Sequence, residues 1–382
     1  MNDNIHINVS YEVLVWARES LALTRNQAAE KTEISVKRLL QLETGEKQPA
    51  LEELKAISKA YKRTIATLLL NSPPKEKPLP TDRRTLDSKD FGNFSEKTIM
   101  AVRKARALAL SSVELREELG LDFPKFNLFA SIKEPCGNAA RRIHSHLQLD
   151  EIRDISNVQH ALEAYIERVE SLGVAVFQLS LTQDRLRGFS ITDDLVPIIG
   201  IKRGNEQAHS KTFTLFHELG HVLLRESGMC DLSDKTNLEI EQWCNGFSAE
   251  ILVPSAELLQ MPIVLEYQRN DQKIWAKKDL VEIANHFHVG PLSILRCLLD
   301  KNLTTQAFYK EKHTTWNKPQ FGKSKNPEGR NLAREAIAEK GKTYVGLAFN
   351  AYDQNRINIK DLSDFLGVKL SCIPKTRQLL SA

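Results

Sequence analysis

FTLFHELGHVLL, residues 213–224, combines a long apolar run with three side chains that can carry charge. The apolar residues predict a helix whose surface is mostly buried. His217, Glu218 and His221 interrupt this helix, and burying such groups without partners is strongly unfavourable. The stretch therefore indicates a site at which these three groups find a partner.

The two histidines are four residues apart, so a helix places both imidazoles on one face. The pattern His-Glu-x-x-His supplies two zinc ligands and a glutamate that acts on a bound water. Zinc lowers the pKa of such a water to about 7, and a nearby carboxylate can accept its proton. We therefore predict zinc on His217 and His221, with Glu218 as the catalytic base. A chance match is the competing interpretation, which the apolar helix after β-rich segments disfavours.

A catalytic zinc takes three protein ligands and keeps one position open, so a further ligand must come from elsewhere. The segment 239–254, EIEQWCNGFSAEILVP, is predicted to be a helix carrying three carboxylates. We choose Glu241 because Asn245 follows it by one turn, where a side-chain amide can orient a ligand imidazole. Glu239, Glu250 and a cysteine remain alternatives, and a solvated helix face is the expectation for both of these glutamates.

Cys230 and Cys244 lie near the predicted ligands in sequence. Either thiol, placed at the open position of the zinc, would act as a redox-sensitive lock. A free cysteine that packs as a small apolar residue is the more common case. The chain contains no C-x-x-C pair, which argues against a disulfide framework or an all-cysteine zinc site.

Residues 213–224 and the later CNGFSAEILVP, residues 244–254, resemble the ImmA/IrrE family of zinc metallopeptidases, which cleave helix-turn-helix repressors. The resemblance covers residues 173–299. It implies a zincin-like domain with a small sheet. The site that it implies is zinc on His217, His221 and Glu241, with Glu218 as general base.

A second motif lies near the N-terminus, in LTRNQAAEKTEISVKRLLQLETGEKQPALEEL, residues 23–54. Thr24 and Gln27 predict a capping box, and Ser35 predicts the start of the next helix. Two short helices joined by a tight turn form a helix-turn-helix, whose second helix enters a major groove. The segment resembles the Xre/Cro-type DNA-binding domain. Glu33 stands where that family places glycine, which costs about 1 kcal/mol in a left-handed turn.

This resemblance implies contacts with double-stranded operator DNA. The residues expected to face base edges are Ser35, Val36, Lys37 and Gln41, and Arg25 is expected to contact the phosphate backbone. Residues 1–71 carry 10 Lys and Arg against 9 Asp and Glu, so one copy should bind DNA weakly. We therefore expect a homodimer or help from the basic C-terminal part. A role as a protein-interaction module is the alternative.

The proline-rich SPPKEKPLP, residues 72–80, marks a stiff linker. The fold class predicted is multidomain and mainly α, with an α+β centre, an all-α N-terminal bundle and a helical C-terminal extension. The predicted boundaries are a helix-turn-helix domain at 8–71, a linker at 72–94, a metallopeptidase domain at 95–305 with its core at 173–299, a basic linker at 306–329 and the C-terminal extension at 330–382.

The C-terminal part is basic, since residues 301–382 carry 15 Lys and Arg against 7 Asp and Glu. Within residues 310–330, cations are interleaved with Trp316 and Phe321, a composition that suits single-stranded nucleic acid. A linker whose aromatic residues pack on the peptidase domain is the alternative, and we favour the linker.

Apolar runs stay well below the ~20 residues of a membrane span, and the first residues do not resemble a signal peptide. We expect a cytoplasmic protein without membrane contact. The chain is predicted to bind DNA and to hydrolyse a peptide bond in a repressor or antitoxin-like protein. The alternative is an antitoxin-type repressor of a toxin–antitoxin or phage-defence operon, which binds DNA and a partner toxin with little or no peptidase activity.

Overall fold

The structure is a computed structural model that describes residues 7–82, 94–182, 186–192, 195–204, 206–225, 228–230, 239–316 and 331–381. The chain divides into two compact units. The first comprises Met1–Leu79 and Gly92–Met100, and the second comprises Pro80–Phe91 and Ala101–Ala382. Among the described residues, no helix is long and apolar enough to cross a membrane.

The first unit is a bundle of short helices around a core of leucine, isoleucine, valine and alanine side chains. Its helices are α1 (Tyr11–Glu19), α2 (Arg25–Thr32), α3 (Val36–Glu43), α4 (Leu51–Tyr61) and α5 (Ile65–Leu68). The predicted capping box is present, because Thr24 accepts from the backbone N–H of Gln27 and the Gln27 side chain accepts from that of Thr24. Ser35 caps α3 by accepting from the N–H of Arg38 at 3.2 Å.

The turn between α2 and α3 has the conformation that the sequence predicts. Glu33 closes α2 with φ 58° and ψ 20°, in the left-handed region. A residue with a Cβ is strained there, whereas glycine adopts this conformation freely.

Replacing Glu33 with glycine should therefore raise the free energy of unfolding of the first unit by about 1 kcal/mol. Glu30→Gly, which places the same change inside α2 on an exposed position, should lower it by about 1 kcal/mol. Calorimetric unfolding of the full chain measures both. Two changes of the same sign would contradict the role given to the turn.

The second unit contains a five-stranded sheet in the order β1-β5-β3-β4-β2. The strands are β1 (Thr81–Asp82), β2 (Ala175–Leu179), β3 (Gly188–Ile191), β4 (Ile198–Lys202) and β5 (Gly228–Cys230). Strand β3 is antiparallel to both neighbours, β4 and β5, whereas β2 runs parallel to β4 and β1 parallel to β5. Strands β2 to β4 are almost fully buried, because helices cover them.

Helices make up most of the second unit, which confirms a mainly α chain with an α+β centre. They are α6 (Glu96–Glu118, which begins in the first unit), α7 (Cys136–His146), α8 (Val158–Ser171), α9 (Ala208–Leu223), α10 (Glu239–Leu252), α11 (Ser255–Gln260), α12 (Pro262–Arg269), α13 (Lys277–His286), α14 (Pro291–Asp300), α15 (Gln306–Trp316), α16 (Leu332–Lys340), α17 (Lys342–Asp353), α18 (Ile359–Leu366) and α19 (Ile373–Leu380). Helix α9 packs on β3 and β4 and lies against α8 and α10.

The C-terminal helices belong to this second unit. The Thr343 hydroxyl donates to Glu170 Oε2 on α8 at 2.5 Å. The ring of Tyr344 meets that of Phe177 on β2 edge to face, with centroids 6.4 Å apart. Helices α16 and α17 thus pack on β2. Most of the predicted nucleic-acid segment, from residue 317 to 330, lies outside the described residues.

Candidate metal centre

Helix α9 carries the His-Glu-x-x-His stretch in the interior of the second unit. His217, Glu218 and His221 are all fully buried. The helix is apolar on nearly every side because it lies between the sheet and two other helices. The three polar groups therefore lie inside the core, as the opening stretch of the sequence indicates.

Helix α10 contributes the fourth side chain of the centre, that of Glu241. Its axis passes close to α9 at Gly220, where a Cβ would lie 3.1 Å from Cys244 Sγ and 3.3 Å from Cys244 Cα. Because glycine permits this approach, Glu241, one turn before Cys244, reaches the two histidines. The Glu241 side chain is 2% exposed.

The three ligand atoms form a compact triangle. The Nε2 atoms of His217 and His221 are 3.2 Å apart. They lie 3.2 and 3.3 Å from Glu241 Oε2 and Oε1, respectively. Zinc at about 2.0–2.1 Å from tetrahedral ligands separates those ligands by about 3.3 Å, so the residues present fit this ion. Among the described residues, His217, His221 and Glu241 form a group whose ligand atoms are close enough together to bind one metal ion.

The electrostatics of the centre favour an ionised carboxylate facing two imidazole nitrogens. Burial alone raises the pKa of Glu241, but hydrogen bonds from His217 and His221 lower it well below its usual range. The Nδ1 atom of His217 is buried without a hydrogen-bond partner among the described residues. In both histidines, Nε2 is the ring nitrogen that faces Glu241.

Glu218 lies against the backbone of β3. A Cβ built on Gly188 would be 2.8 Å from Glu218 Oε1 and 2.7 Å from Thr214 Cγ2. The absence of a side chain at Gly188 therefore leaves the space that the Glu218 carboxylate occupies. Gly188 cannot be recognised from the sequence, because its contact with Glu218 depends on how α9 packs against β3.

Gly188→Ala should consequently lower peptide hydrolysis by about 100-fold, because α9 or β3 must shift and Glu218 is displaced. Gly346→Ala on α17 is a matched control, since a Cβ there meets nothing within 4 Å. The hydrolysis rate and the zinc content of both variants are the quantities to measure. Wild-type hydrolysis by Gly188→Ala would show that the contact does not position Glu218.

The other residues considered for the centre are not part of the group formed by His217, His221 and Glu241. Glu239 is exposed, and Glu250 accepts from the N–H and hydroxyl of Ser255, so it caps α11. Asn245 is half-buried, and no hydrogen bond connects it with His217 among the described residues. Cys244 is buried against Gly220 at the crossing of α9 and α10.

Cys230, the other cysteine considered for a lock, lies on β5, where its backbone pairs with Gly188. The side chain of Cys230 is outside the described part of the chain. The predicted redox lock therefore remains a prediction.

The predicted base contacts lie on or next to α3 in the first unit, and Arg25 is the first residue of α2. Ser35 and Lys37 are exposed, as is Val36, at 42%. The Gln41 amide donates to Glu46 Oε1 at 3.0 Å, and the Arg25 guanidinium donates to buried Glu43 at 2.7 Å.

Leu40 is a further surface residue of α3, 44% exposed and one turn after Val36. An exposed leucine beside Lys37 suits an apolar contact with a thymine methyl group. Leu40 is not among the DNA contacts predicted from the sequence, although its helical spacing from Val36 is a signal that could have identified it.

Residues 169–298 match the family model of the IrrE N-terminal-like domain, which is a peptidase family. Residues 14–68 match the helix-turn-helix family model. The two resemblances predicted from the sequence are thereby confirmed in the predicted order. No curated protein and no solved structure matches the chain.

Proposed function

Because this chain joins an N-terminal helix-turn-helix domain to an IrrE N-terminal-like peptidase domain, we propose a DNA-binding regulator that is also a zinc-dependent endopeptidase. Its proposed reaction is the hydrolysis of a peptide bond in a regulatory partner, either a repressor or an antitoxin-like protein. The observation that carries this proposal is the convergence of His217, His221 and Glu241 beside Glu218 in one buried centre.

Four residues of the chain would have distinct roles in this hydrolysis. His217 and His221 would hold zinc through Nε2, and Glu241 would hold it through a carboxylate oxygen. When bound, the ion polarises the scissile carbonyl and lowers the pKa of the attacking water to about 7. Glu218 accepts the proton of that water and delivers it to the leaving amine nitrogen. Burial of all four side chains strengthens these electrostatic interactions by excluding bulk water.

The number of ligands supports catalysis over a purely structural zinc. Structural zinc sites are closed by four protein ligands, whereas catalytic sites use three and keep a position open. Three ligands converge in the described part of the chain. A structural site has no need of the adjacent Glu218 carboxylate.

DNA binding is supported by the free face of α3. Val36, Lys37 and Leu40 are exposed together there, as a recognition helix requires. The near-neutral charge of residues 1–71 leads us to propose that two copies bind double-stranded operator DNA together.

An antitoxin-type repressor is the second candidate, favoured by the fused DNA-binding domain. It would hold a partner toxin and use the zinc for structure or sensing. In a variant that lacks hydrolysis but keeps zinc, failure to relieve repression would favour the peptidase, and unchanged regulation would favour this candidate.

Metal content tests the centre directly. We expect about one zinc per chain in the wild type, and strong loss in His217→Ala and Glu241→Ala. Glu239→Ala, an exposed glutamate on the same helix as Glu241, should keep its zinc. Elemental analysis of the purified full chain measures this. Full zinc retention by Glu241→Ala would show that the third ligand is wrong.

A further inference from the structure

A cavity of about 860 Å³ lies in the second unit between α6, the C-terminal helices α16 to α18 and the residue that follows β4. Its size is that of a small-molecule site. None of the four residues of the metal centre lines it. It is therefore a separate cavity, formed by packing the C-terminal helices on α6.

One part of the cavity has an excess of positive charge around a single carboxylate. Glu339 pairs with Lys104, with Arg203 at 3.4 Å and with Lys340 at 3.5 Å. Arg203 also lies 3.9 Å from Glu335. Three cations thus share two carboxylates, which leaves room for one more negative charge.

The shortage of negative charge is clearest at Lys340. It is 5% exposed, and its ammonium makes a single hydrogen bond within the described residues, 3.5 Å long. An ammonium has three N–H donors, and leaving them unsatisfied in the interior is costly. Lys340 lines the cavity, so an anionic group of a ligand is the partner that the geometry lacks.

The far part of the cavity is acidic. Glu114 and Glu118 follow Lys104 on α6 by ten and fourteen residues, which places them about 15 and 21 Å away along the helix. Both are exposed and line the cavity. Among the described residues, the lining holds four basic side chains and six carboxylates. A nucleotide with several phosphates would therefore meet a lining of net negative charge.

We propose that this cavity binds a short zwitterionic peptide. Its carboxylate lies at Lys340, Arg203 and Lys104, and its ammonium lies at Glu114 and Glu118. An extended chain covers about 3.3–3.6 Å per residue, so the separation of about 15 Å corresponds to four or five residues.

The remaining lining suits the body of such a peptide. Leu108, Tyr344 and Phe365 also line the cavity and supply apolar surface. The site also adjoins the catalytic sheet. Arg203 follows β4 directly, and its backbone N–H donates to Leu179 of β2 at 2.7 Å.

Calorimetric titration of the full chain with tetra-alanine tests the proposal. The Glu218→Gln chain is used, so that the probe is not hydrolysed. The peptide with two free termini should bind, and its C-terminal amide and its N-acetyl derivative should each bind at least about 10-fold more weakly, a loss of about 1.4 kcal/mol. Equal binding of the free and blocked peptides, or no binding at millimolar concentration, would overturn the proposal.

Substitutions locate the binding in this cavity and exclude the metal centre. Lys340→Met and Arg203→Met should each weaken binding about 10-fold, whereas Lys360→Met, an exposed lysine on α18 outside the lining, should leave it unchanged. Circular dichroism checks the fold of Lys340→Met, and the half-buried Arg203 gives an independent test if that variant unfolds. Unchanged affinity of Arg203→Met for the peptide would contradict the site. Binding of ATP that depends on Lys340, without binding of the peptide, would also contradict the proposal.

Discussion

Glu218→Gln should lower peptide hydrolysis by about 100- to 10,000-fold while the zinc content stays that of the wild type. The amide keeps the shape of the carboxylate but cannot accept the proton of the attacking water. The residue lies beside the centre, against Gly188, and is not one of the three converging ligands. Hydrolysis of a quenched fluorogenic peptide library, together with elemental analysis, measures both quantities.

Glu239→Gln is the matched control for this experiment. It makes the same chemical change on α10, at an exposed position, and should hydrolyse the library at the wild-type rate. A Glu218→Gln chain with wild-type activity would exclude this residue as the base. If the Glu218→Gln chain lost zinc in proportion to its loss of activity, Glu218 would be needed to bind the metal and not to accept the proton of the water.

Glu43→Ala should lower the free energy of unfolding of the first unit by about 3–5 kcal/mol, the range for breaking a buried ion pair from one side. Glu43 accepts from Arg18 Nε at 2.7 Å and from Arg18 Nη2 at 3.2 Å. The Arg18 side chain is 8% exposed and that of Glu43 is 2% exposed. Removal of the carboxylate leaves the buried Arg18 guanidinium with its hydrogen bonds to the Leu23 carbonyl at 2.8 Å and to exposed Glu19 at 3.1 Å, and it also removes the partner of Arg25. Calorimetric unfolding of the full chain measures the loss.

Two variants make this expectation specific. Glu46→Ala removes an exposed carboxylate of the same turn and should change stability by less than about 0.5 kcal/mol. The double replacement Arg18→Met with Glu43→Leu should recover much of the lost stability, because apolar residues of similar volume often replace a buried pair without loss. A Glu43→Ala chain within about 1 kcal/mol of the wild type would show that Leu23 and Glu19 suffice as partners of the buried Arg18 guanidinium.

Local patterns predicted the parts of this molecule that depend on local geometry. The spacing of His217 and His221 specifies one helix face, and Thr24 with Gln27 specifies a helix start. Glu241 could also be chosen from the sequence, although only the approach of α10 to α9 at Gly220 shows why it reaches the histidines.

Other features depend on contacts between distant segments, which spacing does not encode. Gly188 contacts Glu218 through the register of β3 against α9. The burial of Glu43 with Arg18 is visible only after α1 and α3 pack. Likewise, Lys104 and Lys340 are far apart in the chain but meet at Glu339.

The packing of the C-terminal helices on β2 has a consequence for how the second unit opens. Thr343 bonds to Glu170, and Tyr344 packs on Phe177 within the sheet layer. Segments that bury each other in this way open cooperatively, so their amide protons exchange with deuterium at a common slow rate. Amides of α17 should therefore be protected as long as those of β2, and a chain ending before α16 should lose that protection in β2 as well.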